Sequence, residues 1–97
     1  MSIRAFHFWS PTCGPCKVIK PAIEDLKEEF SQVRWESINT QNDPAGLSHT
    51  MNVQVVPTIA VIAYNSAGQQ VYIDKQSGTA MANYYRIIRS AIRAISS

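Results

Sequence analysis

Between Ile3 and Ile38 the apolar residues change their spacing twice, and few architectures accommodate that change. "IRAFHFW" (3–9) is short, aromatic and nearly all apolar, as suits a strand buried on both faces. From Pro15 to Phe30 the apolar positions Val18, Ile19, Ala22, Ile23, Leu26 and Phe30 make one helical stripe. Lys20, Glu24, Asp25, Lys27 and Glu28 fall mostly away from it. Pro21 lies inside this helix and predicts a kink, because it has no N–H for the preceding turn. "VRWESI" (33–38) returns to strand character. Strand, helix, strand in that order implies a right-handed crossover and a parallel pair.

Downstream, "NDPAGLSHT" offers Asp43 as N-cap and Pro44 as first helical residue of a short helix that Gly46 interrupts. "TIAVIAY" (58–64) is β-branched and apolar, hence a central strand. "NSAG" (65–68) is a turn, and "QQVYID" (69–74) alternates like the edge strand of a hairpin. After Gly78, Thr79 is positioned to cap a last helix running to about Ile95. Met81, Tyr84, Ile88, Ile92 and Ile95 line one face of it, and Arg86, Arg89 and Arg93 share a solvated one. The expected fold class is α/β, in the order βαβ-(α)-ββα, with a four-stranded mixed sheet between helices in three layers. The 97 residues have room for one core, so residues 1–97 are read as a single domain.

An apolar fraction of 45% and a charged fraction of 16% are those of an ordinary soluble protein. A net charge of +2 gives no reason to expect nucleic acid or a membrane surface as partner. No apolar run approaches the roughly 20 residues needed to span a bilayer. "MSIRAF" has no apolar stretch before a cleavage site, so no secretory leader and a cytoplasmic location are expected.

The chain's two cysteines both lie in "FWSPTCGPCK" (8–17), between strand and helix. They could be a redox pair, half of a metal site or a structural disulfide. The structural reading is weak, since the cytosol disfavours it and so tight a loop constrains the unfolded chain little. A zinc site would need His7 and His49 beside Cys13 and Cys16, but the histidines lack the usual ligand spacing, so no metal is expected. The redox reading fits the local geometry. Cys13 falls at the helix N-terminus, where unpaired N–H groups and the helix dipole favour a thiolate. Gly14 and Pro15 turn the chain into the helix, and Cys16 lies one turn inside, expected to be the more buried. An exposed thiolate that attacks and a buried thiol that resolves make a dithiol oxidoreductase.

"FW" followed by "CGPCK", the helix proline Pro21, and "VPT" at 56–58 resemble the thioredoxin family, over residues 3 to about 95. The resemblance implies a thioredoxin-like fold and electron transport through a redox-active Cys13–Cys16 disulfide, with no other cofactor. Cys13 would be the nucleophile and Cys16 the resolving thiol. Pro57 would be a cis-proline facing the disulfide, and its Val56 neighbour would pair with an extended substrate segment. Trp9 would pack beneath the site, Gly78 would line the substrate groove, and Thr12, Gly14 and Pro15 would form the substrate face. The implied partners are protein disulfides and an unidentified reductase, with the chain acting as a monomer.

Three departures from the family pattern stand out. The strand bearing the site begins at Ile3, without the family's preceding strand and helix. Thr12 stands where the family has a tryptophan before the first cysteine. His7 replaces the family's buried aspartate, and Glu36 is aligned with the lysine that neighbours it. Strand alternation puts Ala5, His7 and Trp9 on one face and Arg4, Phe6 and Phe8 on the other. His7 is therefore expected under Cys16, where a neutral imidazole can take the resolving thiol's proton, or else serve as a core histidine bonded to a carbonyl. The alternative functions are a glutaredoxin-like, glutathione-linked reductase and a thioredoxin-fold binding subunit whose cysteines are incidental.

Overall fold

The computed structural model describes residues 1–96. Its elements are β1 (Ser2–Trp9), α1 (Gly14–Glu29), β2 (Arg34–Asn39), α2 (Leu47–Thr50), β3 (Thr58–Tyr64), β4 (Gln70–Ser77) and α3 (Met81–Ser96). The sheet order is β2-β1-β3-β4. β1 and β2 are parallel, and β3 is antiparallel to both β1 and β4. This is the thioredoxin-like α/β arrangement expected from the sequence, with the most apolar strands, β1 and β3, in the centre.

Alternation along β1 and β3 feeds two cores. Ile3 and Ala5 of β1 and Ile59, Val61 and Ala63 of β3 pack against Ile19, Ile23 and Leu26 of α1 and Tyr84, Ile87, Ile88 and Ala91 of α3. On the other face, Phe6, Phe8, Ile38, Ala60 and Ile62 are covered by Leu47 of α2 and by Met51, Val53 and Val56. Burying each large aliphatic or aromatic side chain contributes about 1.5–3 kcal/mol, so both faces hold the sheet. Both faces of β1 are thus committed, which fixes the directions of His7 and Trp9.

Several boundaries differ from expectation for identifiable reasons. α2 begins at Leu47 rather than Pro44, because Gly46 takes a left-handed conformation with φ 67. Asp43 still caps it across that turn: its carboxylate accepts the Ser48 N–H at 2.8 Å, the Leu47 N–H at 3.2 Å and the Ser48 hydroxyl at 2.6 Å. Those bonds, the one from the Ser48 hydroxyl foremost, lower the pKa of Asp43. β4 runs on to Ser77, because pairing with β3 continues to Thr58 at the site itself. α3 begins at Met81, two residues after Thr79, and its buried face also takes in Ile87 and Ala91. α1 continues through Pro21 as one helix. Among the described residues, no helix is long and apolar enough to cross a membrane.

Candidate active site

β1 ends at Trp9, and the chain turns through Ser10–Thr12, with the Cys13 N–H donating to the Ser10 carbonyl at 3.2 Å. That turn leaves Cys13 in extended conformation as the N-cap of α1. Its sulfur accepts the Cys16 N–H at 3.1 Å, filling the place an oxygen takes in an ordinary cap. Cys13 and Cys16 are joined in a disulfide, their Cα atoms 5.3 Å apart. Pro15 sits in the first turn, where its missing N–H removes no helical bond.

One expectation is corrected here. Cys13 is 9% and Cys16 7% exposed, so the two differ little in burial. They differ in what surrounds them. The Cys13 sulfur lies 3.6 Å from the Val56 carbonyl oxygen, on the side of the Val56–Pro57 segment. Cys16 instead lines a cleft on the inner side of α1, together with His7 and Trp9.

The Val56–Pro57 peptide bond is cis, as the family resemblance implies. Pro57 is buried, and its carbonyl accepts the Gly78 N–H at 2.9 Å and the Tyr84 hydroxyl at 3.3 Å. The same hydroxyl contacts the Gly78 carbonyl, so one side chain of α3 ties both segments together. Burial pushes the Tyr84 phenol up to about 12. Gly78 has φ 103, a conformation that suits glycine, and its half-buried backbone lies beside Pro57. Thr12 is exposed, and its hydroxyl accepts the Gln41 amide at 2.8 Å. Gly14 and Pro15 are exposed beside it, and Trp9 is half-buried.

His7 is 8% exposed and lies on the α1 face of the sheet, as alternation requires. Neither ring nitrogen has a hydrogen-bond partner among the described residues, so the carbonyl-bonded core histidine is not what forms. Its charged neighbours also differ from expectation. Glu36 pairs with Arg4 at 3.9 Å, and Arg4 stacks over Phe6 on the opposite face. The residue opposite His7 in β2 is Ser37. The lysine on this side comes from α1: Lys27 donates to the Ser37 hydroxyl at 3.0 Å and pairs with Glu24 at 3.6 Å. Desolvation foremost, then the Lys27 charge, lowers the His7 pKa to about 4 against an opposing pull from Glu24. His49 lies on α2, which packs on the other face of the sheet, so the four atoms a zinc site would need do not converge.

Tyr84, Lys27, Ser37 and Gln41 join the site without having been singled out from the sequence. Tyr84 carried the one available signal, a hydroxyl set in an otherwise aliphatic helical stripe that requires a partner when buried.

Comparison with known proteins agrees with this geometry. A family model described as Thioredoxin matches residues 4–86. The chain is 40% identical over 53 residues to the chloroplast thioredoxin M-type of Spinacia oleracea, covering 54% of this chain and 29% of the relative. It is 31% identical over 65 residues to a thioredoxin of Pyropia yezoensis, covering 66% of this chain and 57% of that protein. The matched segment therefore spans less than two thirds of the length of either relative. The Fasciola hepatica thioredoxin structure superposes with a TM-score of 0.76 at 23% identity, covering 93% of this chain and 81% of that one. Because the family match runs from within β1 into α3, the chain belongs to the thioredoxin family.

Proposed function

We propose that the chain is a thiol–disulfide oxidoreductase that reduces protein disulfides through Cys13 and Cys16. The observation that carries this reading is the disulfide spanning the N-cap and first turn of α1, with the Cys16 N–H on the Cys13 sulfur. When the pair is reduced, that N–H and the helix dipole favour negative charge on Cys13. The Cys13 thiolate attacks a substrate disulfide, one substrate sulfur leaves as thiolate, and a mixed disulfide forms. Cys16 then attacks the Cys13 sulfur and releases the second substrate thiol, leaving the intramolecular disulfide.

An extended substrate segment pairs with the Val56 backbone, which makes no backbone hydrogen bond among the described residues and lies beside the Cys13 sulfur. Trp9, Thr12, Gly14, Pro15, Pro57 and Gly78 surround that approach. Thr12 offers a small polar contact already engaged by Gln41, so the surface favours a polar substrate residue there. Each turnover oxidises the dithiol, so a dithiol-regenerating reductase is the second partner. A reducing compartment such as the cytoplasm suits this direction.

Insulin reduction by dithiothreitol, with and without the protein, tests the reading. Catalysed precipitation of the insulin chains, together with a Cys13–Cys16 potential near −270 mV, roughly the reducing end of known dithiol couples, is the expected result. A folded protein that leaves insulin intact would overturn it in favour of a binding subunit.

A further inference from the structure

We infer that the cleft behind Cys16 is a binding site for a small organic oxyanion, its charged head on His7 and Lys27 and its apolar body against Trp9. The site does not depend on the dithiol reading. It also lies apart from the Val56–Pro57 side, on which substrate approaches Cys13. The cleft measures about 370 Å³. Pockets for small molecules run from roughly 300 to 1,000 Å³, so this one takes a compact ligand.

Three features of the cleft define the ligand's chemistry. The first is His7, which is 8% exposed, lines the cleft and has both ring nitrogens without a partner among the described residues. Nearly all buried polar groups in folded proteins are hydrogen-bonded, and a neutral imidazole has one N–H to donate. Desolvation and the Lys27 charge keep the ring neutral at physiological pH, so that donor is available to an anion.

The second feature is charge. Lys17, Lys20 and Lys27 line the cleft against a single carboxylate, Glu24, and all four come from α1. β2 contributes the Ser37 hydroxyl, and Glu36 and Arg4 lie on the far face. The Lys27 side chain is only 21% exposed, and its partner Glu24 is 58% exposed at 3.6 Å. So loose a pair is weak, and an anion in the cleft displaces Glu24 at small cost. Lys27 also donates to the Ser37 oxygen at 3.0 Å, which leaves the Ser37 hydrogen for a further acceptor. Imidazole N–H, ammonium and hydroxyl are all donors, the set that an oxygen anion requires.

The third feature is the wall. Trp9 and Pro11 border the same cleft, and Trp9 is half-buried. An indole face takes up an aromatic or aliphatic body by apolar contact, which a bare inorganic ion would leave unused. A carboxylate or phosphate ester carrying a small apolar group uses both the donors and the wall.

Phenyl phosphate and benzoate share an aromatic body and differ in head group, and benzyl alcohol has the body without the charge. Each is titrated into the oxidised protein at pH 7 while the NMR signals of the His7 ring are followed. At least one of the two anions should shift them saturably, at least about tenfold more tightly than benzyl alcohol, the worth of one charge-assisted hydrogen bond. The tighter anion identifies the head group. Lys27→Gln should weaken that binding at least about tenfold. Arg93→Gln removes the same charge from an exposed position on α3 that lines a different groove, and should leave binding within about twofold. Saturation with phenyl phosphate, which stays anionic into acid, should raise the pKa of His7 by about one unit.

The absence of a saturable shift with both anions at about 10 mM overturns the site. Equal binding of benzyl alcohol overturns it too, because the cleft would then select for apolar surface alone. Equal losses in Lys27→Gln and Arg93→Gln would reduce the effect to screened attraction by the whole protein. An unmoved His7 pKa would put the anion elsewhere, and either of these last results also defeats the proposal.

Discussion

The Cys16 N–H points at the Cys13 sulfur across 3.1 Å, so the resolving residue's own backbone solvates the sulfur of its partner. That bond exists because Cys13 is the N-cap and Cys16 the third residue of α1. It acts on the two sulfurs unequally even though both residues are nearly buried. A thiolate on Cys13 retains this donor and the helix N-terminus, and one on Cys16, inside the first turn, gains neither in the same way.

Cys16→Ser is accordingly expected to accumulate a mixed disulfide between Cys13 and a substrate thiol, and Cys13→Ser to accumulate none. Non-reducing mass spectrometry after incubation with oxidised insulin reads both outcomes. Neither variant should reduce insulin above the background rate. Faster alkylation of Cys16 than of Cys13 in the reduced wild type at neutral pH would reverse the assignment.

His7 makes stability depend on pH with a definite sign. Its folded pKa is about 4 against an ordinary 6.5, so between those values the unfolded chain binds the extra proton. The stability from a neutral His7 is fully present above pH 6.5 and is lost as pH falls towards 4. The loss should reach at most roughly 3 kcal/mol, the worth of such a shift for a buried group. Urea denaturation at pH 7 and pH 4.5 should show a smaller drop for His7→Gln than for wild type, and equal drops would refute the linkage.

Tyr84→Phe removes the hydroxyl that joins Gly78 and Pro57 while keeping the ring in the core. The Pro57 carbonyl retains the Gly78 N–H, so the expected cost is that of one buried hydrogen bond, about 1–2 kcal/mol. In a chain of this size that lowers Tm by roughly 4–16 °C. Differential scanning calorimetry measures it. A variant as stable as wild type would show that Gly78 and Pro57 hold each other without Tyr84.

Ile23 is fully buried between α1 and the sheet, whereas Val18, five residues earlier and placed by its spacing in the same apolar stripe, is 77% exposed and so lies off the buried face. Ile23→Ala should cost about 2–5 kcal/mol through lost transfer energy and the cavity left behind. Val18→Ala should fall within about 0.5 kcal/mol of wild type. The denaturation midpoints of the two variants give the comparison, and similar values would contradict the assigned helix face.

Much of the fold is legible in the sequence because its signals are local. The period of two in β1 and of about three and a half in α1 follow from backbone geometry, and burial on both faces follows from the composition of β1 and β3. The chemistry at Cys13 is local too, since an N-cap and a first turn lie within four residues of each other. The continuation of β4 to Ser77 was not legible, because it depends on pairing with Thr58 rather than on the alternation of β4 itself.

Around His7 the division is sharpest. Its face of β1 could be read from alternation alone, which depends only on counting residues along one strand. Its neighbours could not, because a shift of one residue in β2 exchanges Glu36 for Ser37 across the sheet. The register of β1 with β2, together with the angle at which α1 crosses them, puts Lys27 beside His7 and sends Glu36 to Arg4 on the far side. Tyr84 meets Pro57 across 27 positions of chain for the same reason. The pattern of one segment determines which way a side chain points, and only the packing of separate segments decides what it meets there.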